Sequence, residues 1–192
     1  MQIGSWGFRK RAYDKLIYNQ YASPQELGLS LCQYIVHNDI SYMNEVFDNL
    51  IEVTEEYPTI NQLKLVNKIT GLNFPQFYSW KRIIFDYLYR CSKNRYLEKD
   101  FFPFFFNDNK AINDSFTCDW AYIINLDTNV LEIYKGFNEN PMANGRYAIR
   151  SIRKKTIVYF GCELIKTIPL ELIKKMPIED LWNIMYDIEN NR

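Results

Sequence analysis

From Asp114 to Gly136 the chain reads Asp-Ser-Phe-Thr-Cys-Asp-Trp-Ala-Tyr-Ile-Ile-Asn-Leu-Asp, then Thr-Asn, then Val-Leu-Glu-Ile-Tyr-Lys-Gly. Aromatic and β-branched residues at this density suit a pleated, half-buried surface. Thr117 to Leu126 is therefore expected to be a strand. Asp127-Thr128-Asn129 reads as a hairpin loop, with Asn129 able to take the left-handed conformation such loops need. Val130 to Lys135 returns, with Leu131 and Ile133 on one face and Glu132 and Tyr134 on the other. The rest of the chain has to supply partners for this pair.

Residues 3 to 20 offer one. Ile3, Trp6 and Phe8, then Tyr13 to Tyr18, read as a second hairpin around a polar turn at Arg9-Lys10-Arg11. Gly4 and Gly7 inside a strand point to a bulge or to close approach of backbone or ligand. Four helices are expected next. Ser23-Pro24 with Glu26 caps the first, which runs to about His37 with Leu27, Leu31, Tyr34 and Ile35 at helical spacing. The second starts near Ser41, buries Met43, Val46, Phe47, Leu50 and Ile51, and ends at Tyr57-Pro58. The third runs from about Thr59 to Gly71. The fourth follows Phe74-Pro75 with Phe77, Trp80, Ile84, Tyr87, Leu88 and Cys91 on its apolar side. Asn94 to Asn113, with a Phe-rich run, reads equally as a short helix or an irregular packed segment. Thr156 to Ile165 is expected as one strand. A helical turn from Pro169 and a helix from Ile178 to Ile188, with Leu181, Trp182, Met185 and Ile188 inward, close the chain.

Hairpin, helices, strands and helix in that order predict a single α+β domain. Its antiparallel sheet would combine the N-terminal hairpin with the C-terminal strands. About four central helices, residues 24 to 92, and the terminal helix would cover it.

Composition narrows the function classes. The 192 residues carry no net charge, so nucleic acid and anionic membrane are not favoured partners. Phe, Trp and Tyr make up 17% of the chain, which suits recognition of flat ligands or of partners. Cys32, Cys91, Cys118 and Cys162 have no zinc spacing, and His37 is the lone histidine, so no metal or cofactor is expected. Dispersed cysteines and a start without a signal-like apolar run point to a reducing cytoplasm. The longest apolar run, Phe101 to Phe106, is far too short to span a bilayer. Glycine-rich phosphate loops, nucleophile elbows and metalloprotease motifs are missing.

Two stretches carry candidate chemistry. Asp114, Ser115 and Asp119 form a polar start to the strand beside Trp120 and Tyr122. They either rim a ligand site or close a local turn above core aromatics. Cys118 would be a nucleophile only if a base activated its thiol. Ser115 and Asp119 are the other catalytic candidates. In the first hairpin, Arg9, Lys10 and Arg11 precede Tyr18, Asn19 and Tyr21. A guanidinium for phosphate and a tyrosine face for a base suit a nucleotide-like ligand, although a solvated hairpin tip explains the same residues. The basic run Arg150, Arg153, Lys154 and Lys155 is a solvated edge by default. Arg9, Tyr18, Asn19, Asp114 and Asp119 form one site only if they converge.

Gly4-Ser5-Trp6-Gly7-Phe8-Arg9, Tyr18-Asn19-Gln20-Tyr21-Ala22-Ser23-Pro24 and Leu27-Gly28 resemble a widespread family of uncharacterised proteins from phages, bacteria and fungi. Members begin M-G-T-R-G and carry Y-N-H-F-D-S-Y-P-x-x-L-G. Ser79-Trp80, the Asp114–Asp127 stretch, Leu131 to Phe137 and Gly145-Arg146-Tyr147 extend the likeness over most of the chain. The central stretch is similar to the family's D-S-L-F-C-E-W-A-Y-V-I-D-L-D and L-E-V-Y-K-G-F. Gln20 stands where the family has His, and Ala22 where it has Asp. The resemblance therefore implies a phage or mobile-element protein that lacks that polar pair. The expected function is non-catalytic capture of a nucleotide-like small molecule or a host protein, countering host defence. The alternative is an amide or nucleotide hydrolase resembling N-terminal nucleophile enzymes, using Cys118 or Ser115. Homo-oligomers are compatible with either.

Overall fold

The computed structural model describes residues 2–90, 103–148, 151–154 and 157–190. Cys91, residues 94–102 of the segment read as helix or irregular, Arg150 and Lys155 lie outside them. The chain divides into two compact units, Met1–Phe47 with Asn107–Arg192, and Asp48–Phe106. The α+β class holds.

The first hairpin forms as expected, with β1 (Gly4–Lys10) antiparallel to β2 (Tyr13–Asn19). Its turn is Arg11-Ala12, both residues at positive φ, rather than Arg9-Lys10-Arg11, because Arg9 and Lys10 belong to β1. Ser23 then accepts a hydrogen bond from Glu26 N at 3.2 Å and starts a π-helical turn, Pro24–Gly28. The turn continues as α1 (Leu29–His37), and α2 (Ile40–Asn49) carries the chain out of the first unit.

In the second unit, β3 (Ile51–Glu52) is followed by α3 (Ile60–Thr70) and α4 (Trp80–Arg90). The expected second helix is thus cut short at Asn49. The backbone beyond it pairs instead with the Phe-rich run, whose residues form β4 (Phe104–Phe105), parallel to β3. Left-handed Gly71 ends α3, as the sequence predicts, and a capping box of Thr59 with Gln62 starts it. Phe77 falls outside α4 and is exposed, whereas Trp80 packs its ring 4.6 Å from that of Phe104. With Val66 and Ile83 also fully buried, α3 and α4 build a core of their own.

The first unit resumes with the short α5 (Asn109–Ile112), then β5 (Trp120–Asn125) and β6 (Val130–Lys135) around the Asp127-Thr128-Asn129 loop. Asn129 is left-handed, φ 55°. The expected strand over 156–165 is broken near Gly161-Cys162. Its first half, β8 (Ile157–Phe160), pairs with β7 (Ser151–Lys154) in a separate ribbon, and its second half becomes β9 (Glu163–Pro169). The chain ends with α6 (Leu170–Ile173) and α7 (Ile178–Asn190).

The main sheet has the order β2-β1-β5-β6-β9. It is mixed rather than antiparallel, because β1 and β5 run parallel. The long connection between the hairpin and β5 lets β5 enter from the same end as β1. Gly4 explains why β1 is the inner strand of its hairpin. A Cβ there would collide with the Trp120 carbonyl oxygen, so the close approach expected of this glycine is between backbones.

The register sorts the side chains by face. Trp6, Phe8, Trp120, Tyr122, Ile124, Leu131 and Ile133 point to one side and are buried. The π-turn, α1 and α7 cover that side. Phe8 meets Tyr34 edge-on at 6.3 Å, and Gly28 lies against both Met185 and Tyr122. Ser5, Arg9, Asp14, Leu16, Tyr18, Ile123, Asn125, Glu132 and Tyr134 point to the other side. There Leu16, Ile112, Cys118, Ala121, Ile123, Tyr134, Tyr147 and Cys162 form a second core layer.

Candidate functional site

The five residues on which the sequence places one site do not converge. Arg9 pairs with Asn125 at one end of β1, whereas Tyr18 and Asn19 pair with Ser5 and Gly4 at the other. Four strand residues, roughly 13 Å, separate the two ends. Tyr18 shares the Ser5 face, and Asn19 Oδ1 instead accepts Tyr21 N at 2.7 Å in a local turn. Asp119 pins the chain start, accepting Ile3 N at 2.6 Å through Oδ2 while its own N–H donates to Ile3 O at 2.8 Å.

Asp114 and Ser115 close a turn, the second of the two readings their position allows. The Asp114 carbonyl accepts Thr117 N at 2.9 Å. Ser115 is fully buried, and its Oγ accepts Asn138 N at 3.0 Å. Trp120 and Tyr122 are core residues on the helix-covered face, not ligand contacts. Burial, then the nearby Glu189, Cys118 and Cys32, raise the Tyr122 phenol strongly, and its hydroxyl donates to Ala22 O at 3.0 Å.

The proposed nucleophiles are poorly placed for attack. Cys118 is buried and its thiol donates to Trp120 O at 3.3 Å. His37 ends α1, which packs over the Phe8 side of the sheet, while Cys118 lies in the core layer of the opposite side. Among the described residues no cluster of three or more His, Cys, Asp or Glu could hold a metal. None of their helices is long and apolar enough to cross a membrane.

What the fold does gather is a charged network on the second face of the sheet. Asp14, in β2, is its centre. Arg9 Nη1 donates to both Asp14 oxygens at 2.9 Å. The Tyr147 hydroxyl donates to Asp14 Oδ2 at 2.7 Å. Arg146 spans two carboxylates, with Nη2 3.5 Å from Asp14 Oδ1 and Nη1 2.6 Å from Glu132 Oε2. Tyr134 and Asn125 donate to the two Glu132 oxygens at 3.0 and 2.7 Å. The Arg146 guanidinium lies 4.8 Å from the Tyr147 ring centre and 5.6 Å from that of Tyr134, within cation–π range.

The electrostatics follow from burial. Burial opposes the charge on Arg146, but Tyr147, Tyr134, Glu132 and Asp14 around it hold it firmly cationic. Burial, then the neighbouring carboxylates Glu132 and Asp14, push the Tyr134 and Tyr147 phenols up, so both stay protonated donors. Two polar atoms are left over. Arg146 Nε and Asn109 Oδ1 are buried without a hydrogen-bond partner among the described residues. Asn109 also belongs to the network, since its Nδ2 donates to Asp14 O at 3.1 Å.

Of this network, the sequence singled out Arg9 alone as a candidate. Asp14, Asn125, Glu132, Tyr134, Arg146 and Tyr147 carried one usable signal: Asn125, Glu132 and Tyr134 are polar positions in two otherwise apolar strands. At the other end of the same face Ser5 Oγ donates to Asp108 Oδ2, beside half-exposed Tyr18. Burial raises the Asp108 carboxyl, and the Ser5 bond only partly offsets this.

No family model, curated protein or solved structure matches this chain.

Proposed function

We propose that the protein is a non-catalytic binding protein that takes a small nucleotide-like ligand at the Arg9–Arg146 end of the sheet. The observation that supports this reading most is the meeting of Arg9, Arg146 and Tyr147, from two separate stretches of chain, on Asp14. Folding alone gains little from such a cluster, because desolvating paired charges costs about as much as their attraction returns. Arg146 still has a buried Nε without a partner among the described residues, and its guanidinium already lies against two tyrosine rings. Lys10 and Arg11 at the hairpin tip add cations to the same end of β1. A phosphate would meet guanidinium groups there, and a base would meet tyrosine.

The free thiols Cys32, Cys118 and Cys162 suit a reducing cytoplasm. Together with the phage-family resemblance, the proposal extends to capture of a host nucleotide signal, a role in countering host defence.

Native mass spectrometry of freshly purified protein, with a thermal-shift panel of mono-, di- and cyclic nucleotides, tests the reading. A ligand at about a hundredfold its Kd should add about 2.7 kcal/mol, a rise of several degrees in Tm. No retained mass and no shift across the panel at millimolar concentration would remove the proposal.

A further inference from the structure

The terminal helix α7 does not bury the face that its sequence implies. Leu181 and Met185 are inside, but Trp182 points outward and is 42% exposed. Ile178 and Tyr186, four residues before and after it, are each 44% exposed. Residues at this spacing form one ridge along a helix, here about 12 Å long. The Trp182 and Tyr186 rings stack with centres 5.1 Å apart and planes inclined by 21°. Trp6, Trp80 and Trp120 are all buried, so Trp182 is the one exposed tryptophan of the chain's four.

The charges that this helix itself carries have one sign. Ile178–Asn190 contains Glu179, Asp180, Asp187 and Glu189, and no Lys, Arg or His. Glu179 lies three residues before Trp182 and Glu189 three after Tyr186, helical neighbours at both ends of the stacked pair. Glu179 and Asp180 sit in the first turn, where carboxylates favour the helix dipole. Asp187 and Glu189 sit towards the C-terminal end, where the dipole disfavours them. Glu189 has a structural role, since its Oε2 accepts Gln25 N at 3.3 Å, but helix stability does not account for Asp187.

We propose that the outer ridge of α7 docks a basic amphipathic helix of a partner protein. Aliphatic side chains of the partner would lie on Ile178, Trp182 and Tyr186, and its Arg or Lys side chains would meet the carboxylates and the indole face. A second copy of this chain is a poor occupant, because α7 against α7 sets acid against acid. An anionic lipid surface is repelled for the same reason.

The test titrates the full chain with a tryptophan-free peptide of about 18 residues, long enough to form a helix, built from Leu and Arg in amphipathic register. The control peptide carries Glu in place of every Arg. Trp182 emission and calorimetry report binding. The expected result is saturable binding of the basic peptide that weakens at least about tenfold between roughly 50 and 500 mM salt. Trp182→Ala and the pair Glu179→Gln with Asp187→Asn should each weaken it about tenfold by calorimetry. All three positions are at the surface, so circular dichroism should show an unchanged fold. Three results would overturn the proposal: no binding of the basic peptide, equal binding of the acidic one, or undiminished binding by Trp182→Ala. A dimer seen by sedimentation of the protein alone and dissolved by Trp182→Ala would also overturn it, by giving the ridge to a second copy.

Discussion

The carboxylate of Asp127 accepts the backbone N–H of Arg11 at 2.6 Å, joining the loop between β5 and β6 to the turn of the first hairpin. Its second oxygen accepts Ala12 N at 2.9 Å. Both turn residues are left-handed, with φ 54° and 58°, where a Cβ costs about 1 kcal/mol or more. A two-residue hairpin turn of this kind ordinarily uses Asn-Gly. Here an external carboxylate supplies what the turn residues lack.

Ala12→Gly should therefore stabilise the protein by about 1 kcal/mol, and Asp127→Ala should destabilise it by a similar amount. The Asp127 carboxyl is held below the usual aspartate range, first by the Ala12 and Arg11 N–H groups. A depressed folded value gives stability that is present above the unfolded value, about 3.9. That stability drains away as pH falls through the folded value. Acid unfolding of Asp127→Asn should lose this component of the slope, as measured by denaturant midpoints between about pH 2 and 5.

Gly136 follows β6 and meets the turn that precedes β5. A Cβ there would collide with the Cys118 carbonyl oxygen and lie 2.8 Å from the Ser115 carbonyl oxygen. Gly136→Ala must push two backbones apart, which overpacking data put at about 2–3 kcal/mol. The expected drop in Tm is roughly 5–10 °C. Ser115→Ala removes one buried acceptor from Asn138 N and should cost less, about 1–2 kcal/mol. The reverse order in a thermal scan would refute this account of the turn.

Which parts were legible follows from how local their causes are. The Asp127–Asn129 loop and the Gly71 end of α3 depend on residues within a few positions of one another, so turn and cap chemistry reveals them. The burial of Trp120 and Tyr122 depends on which face α1 and α7 cover, and alternation along β5 does not say. Trp182 was misplaced for a related reason. Helical spacing groups Trp182 with Tyr186 and Ile178, but it does not tell whether that ridge meets the sheet or solvent. The charged network was least legible, because Asp14 and Arg146 are 132 positions apart. The register of β2, β1, β5 and β6 puts Asp14, Arg9, Asn125 and Glu132 on one face, and the segment after β6 brings Arg146 to them.

Asp108 gives a pH response of the opposite sign. Its folded value is raised, mainly by burial, with the Ser5 bond opposing. The folded state therefore holds the proton more tightly than the unfolded chain does. The stabilisation is full below the unfolded value and is lost as pH rises through the folded one. At neutral pH the ionised group is a net liability. Asp108→Asn keeps an acceptor for Ser5 Oγ and removes the charge, so it should raise Tm at pH 7, and that gain should vanish near pH 3, where the wild-type carboxyl is itself neutral. Parallel thermal scans at the two pH values check the sign.

Arg146 bridges two carboxylates, and Glu132 is the more deeply buried of them, with a side chain 7% exposed. Arg146→Met leaves Glu132 with Asn125 and Tyr134 as its neutral partners and should cost about 3 kcal/mol. Adding Glu132→Gln removes the stranded charge, and the double variant should recover a large part of the loss. A double-mutant cycle should return a coupling of about 2 kcal/mol, little affected by salt because the pair is shielded from solvent. A coupling under about 0.5 kcal/mol would mean that the network is a crowd of independent contacts. The same double variant separates structure from binding. It keeps the fold but lacks the guanidinium between Tyr134 and Tyr147. A nucleotide that raises the Tm of the wild type through Arg146 should leave the Tm of this variant unmoved.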